Sequence, residues 1–385
     1  MTNLDNIPWV ADVLKTHPEL KEEVFEPYGK LKNQEELERE INKIFFDPQL
    51  NTFEKQIQAL NHFRARYILR IAVSELANDL SLMKVSDHLT FLAEAILKVV
   101  IERAWNKMIE KFGTPTCVIG DNICDMGFIV IGYGKFGGLE IGYKSDLDLV
   151  FLHAGDWQDT QNGERSIDSN QFYVKMGQLV IKFLGGSRYE TDMRLRPDGT
   201  KGILVQTIES YRNYLIERAW TWEHQALVRA RAIIGDPLVI NRFDEIRKEV
   251  LSINRDEKKL ADDIRDMREK MLNEFNHREP GFFNLKYGRG GIVDIEFLVQ
   301  YLTLLYAGKK PGFELWTDVV RLLGSMAEVG ILNDYSAQTL KSAYLIYRFQ
   351  IHRLSLQKAP NIVQNDRFTE LTDRVKKICD HHLKN

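Results

Sequence analysis

The chain has 385 residues, 44% hydrophobic and 28% charged, with a formal net charge of −3. That length points to two or three hydrophobic cores, and the composition is that of a soluble globular protein, which excludes a low-complexity or fibrous chain. The near-neutral balance gives no support to a nucleic-acid binder.

The opening stretch, MTNLDNIPWV, lacks a basic segment followed by an apolar run, so no secretory leader is expected. Residues 1 to about 112 read as helical. Leu60, Phe63, Tyr67 and Ile71 recur at three and four and mark one helix face. A second helix, capped by Ser86 or Asp87, carries Leu89, Leu92, Ile96, Val99 and Val100 as its stripe. KFGTPT at 111–116 breaks the pattern.

At Met126 the texture changes. FIVIG at 128–132 predicts a buried strand ending in glycine, and DLDLVFLH at 146–153 predicts a second strand. A helix follows between Asp168 and Gly185, with Phe172, Met176, Leu179, Val180 and Phe183 on one face. SRYETDMRLRP at 187–197 alternates and predicts a strand with Glu190, Asp192, Arg194 and Arg196 on its polar side. One more helix is expected from about Thr207 to Ala226, and RARAII at 229–234 reads as a last strand. Beyond Asp236-Pro237 the pattern is helical. Leu260, Ile264, Met267 and Met271 form a stripe, the glycine-rich KYGRGG (286–291) precedes a helix from about Asp294, and Phe297–Ala307 reads as a buried core helix too short to span a bilayer. The three cysteines, Cys117, Cys124 and Cys379, argue against a disulfide scaffold and fit a reducing cytoplasm. Cys117 and Cys124 lack a second ligand pair for structural zinc, and Cys379-Asp380-His381-His382 reads as a solvated helix end.

Two chemistries compete at GYGKFGGLEIGYKSDLDLVF (132–151). Gly132, Gly134 and Gly137 match the spacing of a dinucleotide-binding loop, and Asp156 sits where the ribose-binding acid belongs. That loop must be followed by a crossover helix, and only Leu139 to Ser145 separate Gly138 from the next strand. A parallel crossover needs about a dozen residues, so the dinucleotide reading fails. The second chemistry is metal binding. Side chains two apart on a strand point the same way, about 7 Å apart, so Asp146 and Asp148 project together. Carboxylates so placed suit a pair of Mg²⁺ ions about 3.5–4 Å apart. Lys135 in the glycine turn suits phosphate oxygens. Asp192, beside Arg194 and Arg196, is a candidate third carboxylate.

Strand, glycine turn, Asp-x-Asp strand, helix and a strand with one more Asp resembles the nucleotidyltransferase superfamily of the DNA polymerase β type. Lys135 departs from the Gly or Ser common there. GYGKFGGLEIGYKSDLDLVF, DMRLRPDGTKG (192–202), AWTWEHQALVRARAIIGD (219–236), GRGGIVDIEFLVQYL (288–302) and LMKVSDHLTFLAEAIL (82–97) together resemble the glutamine synthetase adenylyltransferases, and GYKSDLDL and WEHQALVRAR resemble their C-terminal, AMP-adding half. The resemblance implies an α+β fold. A small mixed-sheet nucleotidyltransferase domain at 116–236 would lie between an N-terminal helical region (1–115) and a C-terminal helical bundle (237–385).

It further implies transfer of AMP from ATP to a tyrosine hydroxyl of glutamine synthetase in the cytoplasm. Asp146, Asp148 and Asp192 would hold two Mg²⁺ ions, and Gly134, Lys135, Gly137, Gly138 and Ser145 would line the triphosphate. Of Arg194 and Arg196, one would contact nucleotide and the other pair with Glu190. Trp220, Trp222 and Glu223 match the family, with packing the favoured role for the tryptophans. Arg229 and Arg231 would face the site if their segment is a strand, and Lys286 with its glycine loop either approaches the nucleotide or forms a plain helix-entry turn. The PII signalling protein would be a regulator and glutamine an effector. No nucleic-acid or membrane partner is implied. The alternatives are phosphorolytic removal of AMP, a protein uridylyltransferase, and a nucleotide-sensing module without chemistry.

Overall fold

The computed structural model describes residues 6–25, 31–156, 158–275 and 281–383. The first half of the opening stretch MTNLDNIPWV (residues 1–5) and the outer limits of the expected regions, 1 and 385, lie outside them. The chain forms two compact units, Met1–Glu217 with Arg231–Ile246, and Arg218–Ala230 with Arg247–Asn385.

The first unit begins with five helices: α1 (Pro8–Thr16), α2 (Leu20–Phe25), α3 (Gln34–Phe45), α4 (Phe53–Leu76) and α5 (Leu82–Phe112). Asn33 caps α3 through a capping box with Glu36, and the Thr52 hydroxyl caps α4. The expected faces of α4 and α5 are buried. α5 starts earlier than its sequence suggests. Ser81 is its N-cap, so Ser86 and Asp87 lie inside it. The β-hairpin β1 (Val118–Ile119) and β2 (Asn122–Ile123) follows. Its register sets Val118 opposite Ile123, which brings Cys117 and Cys124 together with Cα atoms 5.3 Å apart, and the two form a disulfide. The cysteines were expected to form no disulfide scaffold, and this one pair, seven residues apart in sequence, staples a hairpin while Cys379 stays free. The crosslink arises from hairpin register and is local.

Then come β3 (Phe128–Gly132), the single turn α6 (Gly134–Gly137), β4 (Leu147–His153), α7 (Ser169–Gly186), β5 (Thr191–Asp192), β6 (Val205–Thr207), α8 (Ile208–Glu217), α9 (Thr221–Val228), β7 (Arg231–Gly235) and α10 (Pro237–Leu251). The sheet runs β5-β4-β3-β7, with β6 sharing the β5 edge of β4. β3 pairs antiparallel with β4 and β7, while β5 and β6 run parallel to β4. This is the expected α+β architecture with a small mixed sheet. β3 and β4 are joined as antiparallel neighbours, so the glycine turn serves no βαβ unit. β4 alternates only from Leu147 to Leu149. From Val150 onward both faces are buried, because β4 is central. Asp236 accepts from the backbone N–H groups of Met126, Gly127 and Leu238, which ties the start of α10 to the approach to β3.

The second unit contains α9, α11 (Glu257–Phe275), β8 (Phe282–Asn284), α12 (Ile292–Tyr306), α13 (Val319–Glu328), α14 (Asp334–Leu356), β9 (Ile362–Gln364) and α15 (Thr369–Leu383). α12 is buried along most of its length, and no helix among the described residues is long and apolar enough to cross a membrane. The buried stripe of α11 is Leu260, Ala261, Ile264, Arg268 and Leu272, whereas the expected Met267 and Met271 are only half-buried. Arg268 takes the inner position because it pairs with buried Asp294 and donates to the carbonyls of Tyr287 and Gly288. Asp294 also accepts from the Gly290 N–H, so KYGRGG is a helix-entry turn clamped by one ion pair. Cys379 is buried and donates to the Asp294 carbonyl, so the C-terminal Cys-Asp-His-His stretch is not wholly solvated.

The single helix expected from Thr207 to Ala226 is instead two, α8 and α9, interrupted at 218–220. Glu223 accepts from the Trp220 N–H and caps α9. Trp220 sits in the extended junction and is 70% exposed, and Trp222 is 37% exposed, so neither fills a core as expected.

Candidate active site

β3 delivers the chain to Tyr133, whose N–H donates to the Asp148 carbonyl (2.9 Å). Gly134 then turns the backbone at φ +55°, a region that favours glycine. A Cβ at this position would lie 2.5 Å from Oδ2 of Asp148. The missing side chain is therefore the space the carboxylate occupies.

The N–H groups of Gly137 and Gly138 donate to the carbonyls of Tyr133 and Gly134, and that of Glu140 donates to the Lys135 carbonyl (2.7 Å). The turn is closed by its own backbone, with the amides of Gly137 and Gly138 already engaged. Lys135 is half-buried on this turn. Ser145 closes the next turn: its Oγ accepts from the Gly142 N–H, and its own N–H donates to the Gly142 carbonyl. Asp146 follows, one residue ahead of β4, and Asp148 lies on the strand.

Asp192 arrives from 44 residues downstream through register. β5 pairs parallel with β4, setting Leu147 beside Thr191 and Asp148 beside Asp192. The Leu147 N–H donates to the Glu190 carbonyl and locks that pairing. Carboxylate oxygens of Asp146, Asp148 and Asp192 consequently all lie within 4.8 Å of one another. Three acidic oxygen donors make a donor set for a hard divalent cation, which prefers carboxylate ligands.

The segment after Asp192 departs from the expected strand. β5 is two residues long, and the chain turns through Pro197 and Asp198, the latter at φ +60°. Arg194 does not project beside Asp192 on a strand face. It folds back, its Nε 2.8 Å from Asp192 Oδ2 and its N–H 2.8 Å from Oδ1. These bonds hold the Asp192 carboxyl below the usual carboxylate range, against the opposing effect of its burial. Arg196 donates to the carbonyls of Met193, Thr200 and Gly202 and so pins the turn. The expectation that one of these arginines pairs with Glu190 is corrected: their partners are Asp192 and backbone carbonyls.

Arg231 lies on a strand and reaches the glycine turn, as expected for that case, and it brings with it Glu94, which no motif spacing singled out. On β7, Arg231 donates to the Gly137 carbonyl through Nε and to Glu94 of α5 through Nη2 (2.5 Å). Glu94 also accepts from Gln34. The helical stretch 82–97 thereby holds the far end of the glycine turn. Arg229 does otherwise. It is buried at the C-terminal cap of α9 and pairs with Glu296, which also accepts from the Tyr344 hydroxyl, all within the second unit. Only one of the two arginines thus reaches the glycine turn.

The Glu94 side chain is 8% exposed and its carboxylate is paired with Arg231. Replacing Arg231 with alanine is expected to destabilise the first unit by about 3 kcal/mol, the scale for removing one partner of a buried pair. Urea unfolding reads this as a lower midpoint, and a midpoint equal to that of the parent chain contradicts the clamp.

Residues 2–246 match the family described as glutamate-ammonia ligase adenylyltransferase, and residues 260–372 match the family described as GlnD PII-uridylyltransferase. The protein named bifunctional glutamine synthetase adenylyltransferase/adenylyl-removing enzyme of Thioalkalivibrio sulfidiphilus (strain HL-EbGR7) is 40% identical over 384 residues. The match takes in 97% of this chain and 39% of that protein's length.

Proposed function

Because the chain belongs to the glutamate-ammonia ligase adenylyltransferase family, we propose that its acidic cluster transfers AMP from ATP to a tyrosine hydroxyl of glutamine synthetase and releases pyrophosphate. The observation that carries this reading is the convergence of Asp146, Asp148 and Asp192 beside a glycine turn. We take residues 116–236 as the catalytic module, with 1–115 and 237–385 as its helical flanks.

In the reaction the phenolic oxygen bonds to the α-phosphorus, the bond to the bridging oxygen of pyrophosphate breaks, and the phenolic proton is released. Asp146 and Asp148 would hold two Mg²⁺ ions, with Asp192 completing the ligands of one. When bound, these ions lower the pKa of the tyrosine hydroxyl and offset the charge gathering on pyrophosphate. Asp192, whose carboxyl Arg194 holds below the usual range until a cation takes that place, is suited to be a ligand. With the amides of Gly137 and Gly138 engaged inside the turn, Gly134 and Lys135 are the residues through which it would meet phosphate. Ser145 would act by shaping the approach to Asp146. Arg194, 75% exposed, would leave Asp192 for the nucleotide when the cation arrives, while Arg196 keeps the loop in place.

Competition between Arg194 and the cation has a measurable sign. Arg194→Ala should bind Mn²⁺ more tightly than the parent chain when nucleotide is absent, by about threefold or more, read by electron paramagnetic resonance titration. Weaker binding argues against competition at Asp192.

The reaction is tested by mass spectrometry of glutamine synthetase incubated with this chain, ATP and Mg²⁺. A gain of one AMP per subunit is expected. A second reading is favoured by the relative's own name, which carries an adenylyl-removing activity beside the transfer. There an oxygen of phosphate would bond to the tyrosyl-AMP phosphorus, the bond to the tyrosine oxygen would break, and ADP and the free, reprotonated tyrosine would result. ADP formed from adenylylated target and phosphate, with no AMP gained from ATP, selects it. The uridylyltransferase match at 260–372 supports assigning contact with the PII protein to the C-terminal helices. Glutamine, the expected effector, is given no residues.

A further inference from the structure

A second set of metal-ligating side chains lies in the N-terminal helices. His17 is the C-cap of α1, Glu19 directly precedes α2, and His62 is on α4. The Nδ1 atoms of both imidazoles are 3.2 Å from one carboxylate oxygen, Oε1 of Glu19. One ligand atom from each residue lies within 4.8 Å of the others.

The local chain places these groups deliberately close. His17-Pro18-Glu19-Leu20 is a tight turn in which the His17 carbonyl accepts from the Leu20 N–H (3.1 Å) and the Pro18 carbonyl from the Lys21 N–H (3.2 Å). Pro18 fixes its own φ, so His17 and Glu19 are presented together before any ligand arrives. The His17 N–H donates to the Val13 carbonyl, which keeps this residue on the end of α1. The two rings stand 6.1 Å apart, edge to face, so neither covers the other's nitrogen.

We propose that His17, Glu19 and His62 bind a late first-row divalent cation of the Zn²⁺ kind. The donors would be two imidazole nitrogens and one carboxylate oxygen, with water at the remaining position. Two imidazoles and a carboxylate are a recurrent zinc donor set, and imidazole selects such metals over Mg²⁺. The separation fits as well. Ligands about 2.0–2.1 Å from a tetrahedral zinc are about 3.3 Å from one another, close to the 3.2 Å between each imidazole nitrogen and Glu19. The side chains of Glu19 and His62 are about half exposed, which leaves the second imidazole free to close the remaining distance and water free to enter. A bound ion joins the α1–α2 turn to α4, elements distant from the acidic cluster in sequence, and so acts as a crosslink in the helical region. The donor sets separate the two sites chemically: all-oxygen at Asp146, Asp148 and Asp192, and nitrogen-rich here.

The test uses the full chain carrying Asp146→Asn and Asp148→Asn, which removes the competing acidic cluster. Zn²⁺ is titrated by calorimetry into this background and into the same background with His62→Ala or Glu19→Gln. One Zn²⁺ per chain is expected. Each further substitution should weaken its binding by at least about a hundredfold, since loss of a mere outer partner already costs 10–100-fold. Zn²⁺ should raise the melting temperature of the background and not that of the His62→Ala variant. A circular dichroism spectrum unchanged by these surface substitutions separates loss of a ligand from loss of fold. Zinc binding that persists in both variants overturns the proposal, as does binding abolished only by His381→Ala with His382→Ala. Absence of Zn²⁺ binding to the background shows the three side chains to be a surface ion-pair cluster alone.

Discussion

Replacing Asp146 or Asp148 with asparagine is expected to leave the chain folded and to reduce AMP transfer by about a thousandfold or more. Asparagine keeps the shape of the side chain and removes its charge. Neither carboxylate is needed by the hydrophobic core: Asp146 is exposed, Asp148 is half-buried, and the adjoining Leu147 and Leu149 are fully buried. Phosphoryl transfer gains most of its rate from positioning and charge stabilisation, so under the proposed two-cation reading the loss of either carboxylate would act on the transition state directly. The assay follows label from ATP carrying radioactive α-phosphate into glutamine synthetase, with thermal melting as the check on folding. Activity of either variant within tenfold of the parent chain would remove these carboxylates from the reaction.

The second large effect comes from a residue with no side chain. Gly134→Ala places a methyl group 2.5 Å from Asp148 Oδ2 and asks an L-residue to hold φ +55°. The left-handed backbone costs about 1–2 kcal/mol, and the carboxylate must rotate away from the space it shares with Asp146 and Asp192. Activity should fall about a hundredfold or more, while the melting temperature drops only by the few degrees that such a cost implies. Gly185→Ala, on the exposed end of α7 where an added Cβ meets no atom within 4 Å, is the control and should retain activity. Equal activity in the two variants would mean that close approach to Asp148 is unimportant.

Gly134 shows how far the chain could be read from its letters. Its position between a β-branched run and an Asp-x-Asp strand marked it as part of a turn, and the short spacer to Asp146 ruled out a crossover. That this glycine makes room for Asp148 depends on β3 and β4 lying antiparallel, with the turn folded back against the start of β4. The same limit appears at Arg194 and Arg196. Alternation placed them on a strand face, but Pro197 and the positive φ of Asp198 turn the chain, so one reaches the Asp192 carboxylate and the other three carbonyls. Trp220 failed for a related reason. Its residue type favoured a core, but the break between α8 and α9 leaves it on an extended junction facing solvent.

The amino-acid order determined the helices with a 3.6-residue stripe, the buried strand at 128–132, the shared direction of Asp146 and Asp148, and the family motifs. These are local properties, set by periodicities and turn residues within a few positions of one another. Tertiary structure alone decided that Asp192 stands beside Asp148, that Glu94 and Arg231 brace the glycine turn, and that His17, Glu19 and His62 meet. Each depends on strand register or helix packing between distant segments, and a shift of one residue would turn every side chain of a strand to the opposite face.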